Sequence, residues 1–515
     1  MGYLTQNGRR RPAVLIILFA LLLALPSVVN GKPFLFYDST HYYDVGKAIA
    51  GKVQDVVMPG AGTEVEATSP SAADTEKSGP PITRDRGDGA LAAISGGRSP
   101  IYSLLTYILS VVFSTYGIVA LQSLICAFVI HRLLKVFAPG ASALSQTALV
   151  AALAILTPLG FHAGFVMPDI FAGVFVVTAL VLIFDKTLRL PEQIGLTALL
   201  AFAATMHTTI VAIGLVMITL VLVARYFVAL RPSVNAQAAP AIAAALVLCV
   251  GFGAVYKTGV ETITGNEIRN APYLAGRVIA DGPGKRFLEE NCDDSPFAVC
   301  RFSGVDYVDH NDFLWGGFGA TRNWSTASPE TKAAVQDEEK DFVLAVIAAY
   351  PVSELKATIG NAWLQLTYLG IRETASGAEV MMTYSEFGDN ALMAHVPNLE
   401  GCAEGRNCEG VNPLREAWAV LVHTSLLVMT VILIGLIALN ARRVLARGAA
   451  MDEGMKTILV ASGFVIVVLL ANAAVCGALS GPHDRYQARI AWIVALLLGA
   501  GILHWKTMRA NETAA

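Results

Sequence analysis

Several residues in this chain could do chemistry, and they sit where apolar sequence gives way to polar. Tyr37-Asp38-Ser39-Thr40-His41-Tyr42-Tyr43-Asp44 follows an apolar run and continues through Gly46 and Ala48 in a helical pattern. On a helix, Asp38, His41 and Tyr42 share one face and Asp44 lies off it. Met167-Pro168-Asp169-Ile170 opens a second apolar run. There the partial positive charge of a helix N-terminus favours a carboxylate, and the proline disfavours helix before it. Both acids have an alternative reading as helix caps. His162, in Pro158-Leu159-Gly160-Phe161-His162, and His207, in Thr205-Met206-His207-Thr208-Thr209, close other apolar runs. Either histidine also has a plain structural reading. Near the C-terminus comes Gly481-Pro482-His483-Asp484-Arg485-Tyr486-Gln487-Ala488-Arg489. Its two arginines are four apart, hence on one helical face. Paired guanidiniums suit a phosphate or diphosphate, which each grips with two hydrogen bonds. A surface turn touching phospholipid is the alternative. Together these groups could hold a lipid phosphate with its head group in water and its chain in a bilayer.

The elements that would position them are membrane helices. The chain has 515 residues, 55% hydrophobic and 15% charged, against about 45–50% and about 25% for an average soluble domain. That balance excludes a soluble globular enzyme, a fibrous chain and a disordered one. A net charge of −3 gives no sign of a nucleic-acid partner. The apolar residues gather in runs long enough to cross about 30 Å of hydrocarbon. About ten spans are expected, at 12–29, 116–137, 144–161, 170–185, 192–207, 209–229, 238–257, 414–439, 457–479 and 489–505. The run 100–113 is too short to span and fits an interfacial or re-entrant helix. The first run could alternatively be a signal peptide, but it exceeds the usual h-region of about 7–15 residues.

Charge orients these spans. One set of connections carries Arg9 to Arg11, Arg132, Lys135, Lys186, Arg189, Arg225, Arg231, Arg442, Arg443, Arg447, Lys456, Lys506 and Arg509, while the short opposite loops near 162–169 and 206–209 carry no Lys or Arg. The positive-inside rule then puts both termini in the cytoplasm. Arg485 and Arg489 face outward against that bias, which points to a function. The layout is an N-terminal membrane module (1–257) with a first outer loop (31–99), an outer domain (258–412) and a C-terminal module of three spans (413–515). The outer domain reads as α-rich over 328–370 and irregular elsewhere. Its cysteines, Cys292, Cys300, Cys402 and Cys408, form two close pairs that suit local disulfides in an oxidising compartment, with crossed pairings and a zinc site as alternatives. Outer cysteines suit a periplasm, hence a bacterial inner membrane. Asn323-Trp324-Ser325 matches a glycosylation sequon.

On these residues the chain resembles the GT-C superfamily of integral-membrane glycosyltransferases, which take a sugar from a polyprenyl-phosphate or diphosphate donor. The resemblance covers about the first 230 residues and the last helical pair. It rests on Asp38 soon after the first membrane helix, on Arg98-Ser99-Pro100-Ile101-Tyr102 before a short helix, and on Met167-Pro168-Asp169 in the next outer loop. No WWD-type acceptor motif is present, and His483-Asp484-Arg485-Tyr486 matches late-loop residues of only some members.

The resemblance implies a GT-C-like fold with two amphipathic helices in the first outer loop, here 38–50 and 100–113. It implies Asp38 as catalytic base, with Asp169 orienting the acceptor or a metal. Arg485 and Arg489 would steady the departing phosphate, and His41, Tyr42, Arg98, His162, His207 and His483 would contact sugar or phosphate. Asp38 and Asp169 are hard oxygen ligands suited to Mg²⁺ or Mn²⁺. The expected partners are a polyprenyl-phosphate-linked sugar, a lipid or glycan acceptor and membrane lipids. The expected product has inverted configuration, and the site faces the periplasm. Two other readings compete. A transporter or flippase for a polar lipid would carry its polar groups at helix midpoints, often with inverted repeats, and no repeat is evident. A non-catalytic envelope assembly protein would work through the outer domain.

Overall fold

The computed structural model describes residues 4–57, 97–228, 230–293, 295–317, 319–371, 390–398, 415–447 and 452–514. They are helical, and no β-strand occurs among them. Only a single parallel bridge joins Phe34 to Phe165. The chain is therefore an α-helical polytopic membrane protein.

Two helices open the chain: α1 (Leu4–Val29) and α2 (Tyr37–Val57). The next, α3 (Pro100–Phe113), begins on Ser99, whose hydroxyl accepts the Tyr102 N–H at 3.2 Å. Pro100 at its first position is pre-set for a helix start. There follow α4 (Tyr116–Phe137), α5 (Ala143–Leu156), α6 (Leu159–Ala163), α7 (Ile170–Phe184), α8 (Leu190–Ala204), α9 (Thr209–Tyr226) and α10 (Ala238–Thr264). An insert holds α11 (Tyr273–Ala280), α12 (Pro283–Asn291), α13 (His310–Trp315), α14 (Pro329–Ala349) and α15 (Pro351–Thr367). The bundle closes with α16 (Arg415–Arg447), α17 (Glu453–Leu479) and α18 (Asp484–Ala514).

Each of the ten expected runs overlaps a helix among the described residues. Seven, α1, α4, α9, α10, α16, α17 and α18, are long and apolar enough to cross a membrane. The others, α5, α7 and α8, have 14, 15 and 15 residues. A 15-residue helix rises about 22 Å, short of a full crossing. Every residue of α7 is buried, as expected of a helix that is apolar all round and surrounded by others.

One expected span is corrected. The run 144–161 is not continuous: Thr157 is extended (φ −134°, ψ 166°) and Pro158 follows, so α5 stops and the short α6 begins. The insert also differs from expectation. Its part before 328 contains three short helices rather than irregular chain. These close over a core of their own, with Phe302, Phe313, Val335 and Phe342 buried. Cys292 and Cys300 form a disulfide inside it. Cys402 and Cys408 lie outside the described residues, as does the centre of the first loop. Cys126, Cys249 and Cys476 are free thiols on bundle helices.

Candidate functional site

Asp38 stands in the first turn of α2. Arg98, just before α3, gives it a charge-assisted hydrogen bond, Nη2 to Oδ1 at 2.5 Å. The two helices bring these residues together by close approach. A Cβ at Gly46 of α2 would overlap the Ser103 main chain of α3, so glycine is what lets the backbones touch. Ser39 fixes the entry to α2: its hydroxyl accepts the Phe36 N–H and donates to the Val166 carbonyl, each at 2.9 Å. Burial pushes the Asp38 carboxyl up, but the charges of Arg98, Arg485 and His41 together hold it below its ordinary value. Tyr42, one turn along, is buried edge-on against Tyr102, with ring centroids 5.1 Å apart. Burial first, and then Asp38, keep its phenol protonated by raising its pKa.

Asp169 occupies the position before α7, yet its side chain makes no capping hydrogen bond. Its Oδ1 faces Arg489 Nη1 of α18 at 3.6 Å, in a pair only 2% and 0% exposed. Arg489 Nη2 donates to Thr209 Oγ1 at 2.8 Å and Asn472 Oδ1 at 3.4 Å. Asn472 Nδ2 in turn holds the Tyr486 carbonyl and Gln487 Oε1, both at 2.8 Å. Gly173 permits this approach of α7 to α18, since a Cβ there would meet the Arg489 carbonyl at 2.7 Å. Asp169 Oδ1 and Arg489 Nε and Nη1 are buried without a hydrogen bond. Unused polar capacity of that kind is costly in an interior.

Tyr486 is the hub between the two acid–arginine pairs. The guanidinium carbons of Arg485 and Arg489 each lie 5.1 Å from its ring centre. The rings of His483 and His207 approach it to 5.1 and 6.2 Å. Arg485 also lies 4.1 Å over the Phe36 ring, a cation–π contact. Burial and then the Arg489 charge push His207 down to about 3, so its imidazole is neutral. The insert reaches the same place. Tyr273, at the start of α11, feels Arg98, Asp38, Tyr486 and Arg485, and burial pushes its phenol up to about 12. His310 Nε2 meets His483 Nε2 at 3.2 Å.

The structure thus gathers Asp38, His41, Tyr42, Arg98, Asp169, His207, His483, Arg485 and Arg489 at one end of the bundle. Both arginines are buried, Arg485 at 8% and Arg489 at 0% exposure, and Arg489 is committed to Asp169, Thr209 and Asn472. His162 is buried and packs edge-on against Phe165, whose ring meets Phe36, over which Arg485 lies. The sequon also reads differently. Asn323 is buried, caps a short turn through Thr326 and donates to the Ala320 carbonyl at 2.7 Å.

Tyr486, Asn472, Thr209, Tyr273 and His310 escaped sequence reasoning. Tyr486 stood inside a motif already singled out, and Asn472 was the one amide in an apolar helix; either could have served as a signal. The donor set does not suit Mg²⁺ or Mn²⁺ as it stands. Each carboxylate faces a guanidinium, and no group of three or more His, Cys, Asp or Glu side chains converges among the described residues. Compared with protein-family models, curated proteins and solved structures, the chain matches none of them.

Proposed function

We propose that this chain is a glycosyltransferase of GT-C type. It would move a sugar from a polyprenyl-phosphate donor to an envelope acceptor, with the cluster facing the periplasm and both termini in the cytoplasm. The observation that carries this reading is the convergence of Asp38 and Asp169 with Arg98, Arg485 and Arg489 at one end of an apolar bundle. A membrane-anchored phosphate donor needs that juxtaposition of cations with hydrocarbon. A carboxylate is needed beside it to take a proton.

The acceptor hydroxyl attacks the anomeric carbon. The bond from that carbon to the phosphate oxygen breaks, and polyprenyl phosphate leaves. The hydroxyl proton passes to the Asp38 carboxylate, and the configuration inverts. Arg98 holds Asp38 in place and ionised. Arg485, braced on Phe36 and Tyr486, meets the charge growing on the phosphate. Asp169 and Arg489 set the floor against which the sugar is oriented. No step is assigned to a metal.

The test is mass spectrometry of envelope lipids and glycans in a deletion strain, complemented by the wild-type chain or by Asp38→Asn at matched expression. The expected result is one sugar missing from an acceptor, a lipid-linked sugar accumulating, and rescue by wild type alone. Rescue by Asp38→Asn would remove Asp38 as the base. An unchanged lipid and glycan profile in the deletion strain would overturn the transferase reading.

A further inference from the structure

The helix α15 joins the insert to the bundle, and one of its faces is bare. The chain bends by 110° between α14 and α15, where Pro351 opens the new helix. On the covered face, Glu354 takes the Arg277 guanidinium. Asn361 Nδ2 donates to Asp281 at 2.8 Å, and the helix lies tight on α17. A Cβ at Gly477 of α17 would stand 2.7 Å from the main chain of Asn361 and Ala362. The opposite face exposes Val352, Leu355, Ile359 and Trp363. Steps of three or four residues put these side chains in one stripe. No charged residue occurs from Ala357 to Thr367.

Depth follows from the neighbours. Asn472 of α17 is level with Tyr486 and Gln487 of α18 through its hydrogen bonds. Gly477 lies one and a half turns further along, about 7 Å. The lower part of α15 is therefore near the level of the Asp169–Arg489 pair. It sits beside a membrane helix whose own exposed side chains there, Leu470 and Leu479, are apolar.

We propose that α15 is an interfacial helix whose stripe Val352–Leu355–Ile359–Trp363 is seated in the acyl-chain edge of the leaflet at the site end. The occupant is lipid because the bare stripe adjoins a membrane span and, beyond the exposed Lys356 on the same face, carries no charge from Ala357 to its end. Tryptophan at such a boundary keeps its apolar ring in hydrocarbon near water, and an apolar face on a short helix binds in the plane of the interface. The contact has a consequence for the site. Gln365 Nε2 donates to the His483 carbonyl at 2.7 Å, and its Oε1 accepts the His483 N–H at 2.9 Å. Gly370 N–H donates to Asp484 Oδ1 at 2.9 Å. The leaflet thereby sets the height of the turn that carries Arg485. Lipid contact at α15 holds whether or not the cluster transfers sugar.

The test uses the full wild-type chain in vesicles of phosphatidylethanolamine and phosphatidylglycerol containing a phospholipid with a diazirine in its acyl chain. After irradiation, labelled peptides are mapped by mass spectrometry. The expected result is labelling of 351–367 at a level comparable with α17, with 329–341 of α14 unlabelled. Ile359→Asp should lower the 351–367 signal several-fold while the label on α17 persists. A 351–367 peptide as unlabelled as 329–341 would overturn the proposal. So would cross-linking of this stripe to a second copy of the chain.

Discussion

Asp169 Oδ1 and Arg489 Nη1 stand 3.6 Å apart inside the bundle, and neither atom has a hydrogen bond. The distance is that of an ion pair, not of a closed fork. Thr209 and Asn472 hold Arg489 by its other nitrogen. Two buried side chains of opposite type therefore face each other with hydrogen-bonding capacity in reserve, at the place where α7, α9, α17 and α18 meet.

Removing one member of this pair should be worse than removing both. A single Asp169→Leu or Arg489→Leu strands a charge, a loss of about 3–5 kcal/mol. The double variant Asp169→Leu/Arg489→Leu strands none and should lose less than the sum. Thermal unfolding of the purified protein in detergent measures all three. Additivity to within about 0.3–0.5 kcal/mol would mean that the two side chains do not interact.

The pH dependence of the proposed reaction should be set by Arg98. Burial, the largest influence on Asp38, raises its pKa, and the arginines and His41 overcome it. The folded value thus lies below the unfolded one. The associated stability is present above the unfolded value and is lost as pH falls through the folded one. As a base, Asp38 works while ionised, so the transfer rate should stay level on mild acidification. Arg98→Leu removes the nearest opposing charge and lets burial dominate, which moves the acid limb to higher pH. A pH–rate profile of the variant checks this; a limb that stays where it was would detach Arg98 from the base.

Much of the fold was legible from run lengths alone. Apolar runs located the helices, and polar residues at their ends located Asp38, Asp169, His207 and Arg485 at a common level. What could not be read was pairing. Asp38 and Arg98 are 60 residues apart, and nothing local says that α2 and α3 touch closely enough to join them. Arg485 and Arg489 looked equivalent because helix periodicity gives them one face. Both are buried, but Arg489 meets Asp169, Thr209 and Asn472 while Arg485 lies over Phe36 and Tyr486, a difference that tertiary packing decides. Tyr486 was overlooked for a similar reason. A tyrosine at a membrane boundary is ordinary until two guanidiniums and two imidazoles are found around its ring.

The disulfide should matter to the insert and not to the bundle. Cys292 and Cys300 are separated by 8 positions, and closing so short a loop is worth about 2–3 kcal/mol in the chain-entropy account. Both flank the insert's own apolar core. Cys292→Ser/Cys300→Ser should make 270–350 easier to proteolyse while leaving bundle helices protected. Limited proteolysis with peptide mapping reads the difference, and equal loss of protection in both parts would contradict it.

Gln365 should be the most sensitive link between the insert and the cluster. It is fully buried on α15, and its amide satisfies both the N–H and the carbonyl of His483. Two residues further lies Arg485, stacked on Phe36. Gln365→Leu preserves volume but leaves two main-chain groups unpaired, each costing about 1–3 kcal/mol when buried. The turn is also tied by Gly370 to Asp484, so it should loosen rather than unfold. Under the transferase reading, loosening moves the arginine that grips the phosphate while Asp38 and Arg98 stay in place. Donor KM should then rise well before kcat falls. Gln365→Glu keeps the acceptor for the His483 N–H and loses the donor, so its KM should lie between wild type and Gln365→Leu. Steady-state kinetics on the three proteins decide the matter: equal loss of kcat in both variants, with KM unchanged, would show that this amide does not position Arg485.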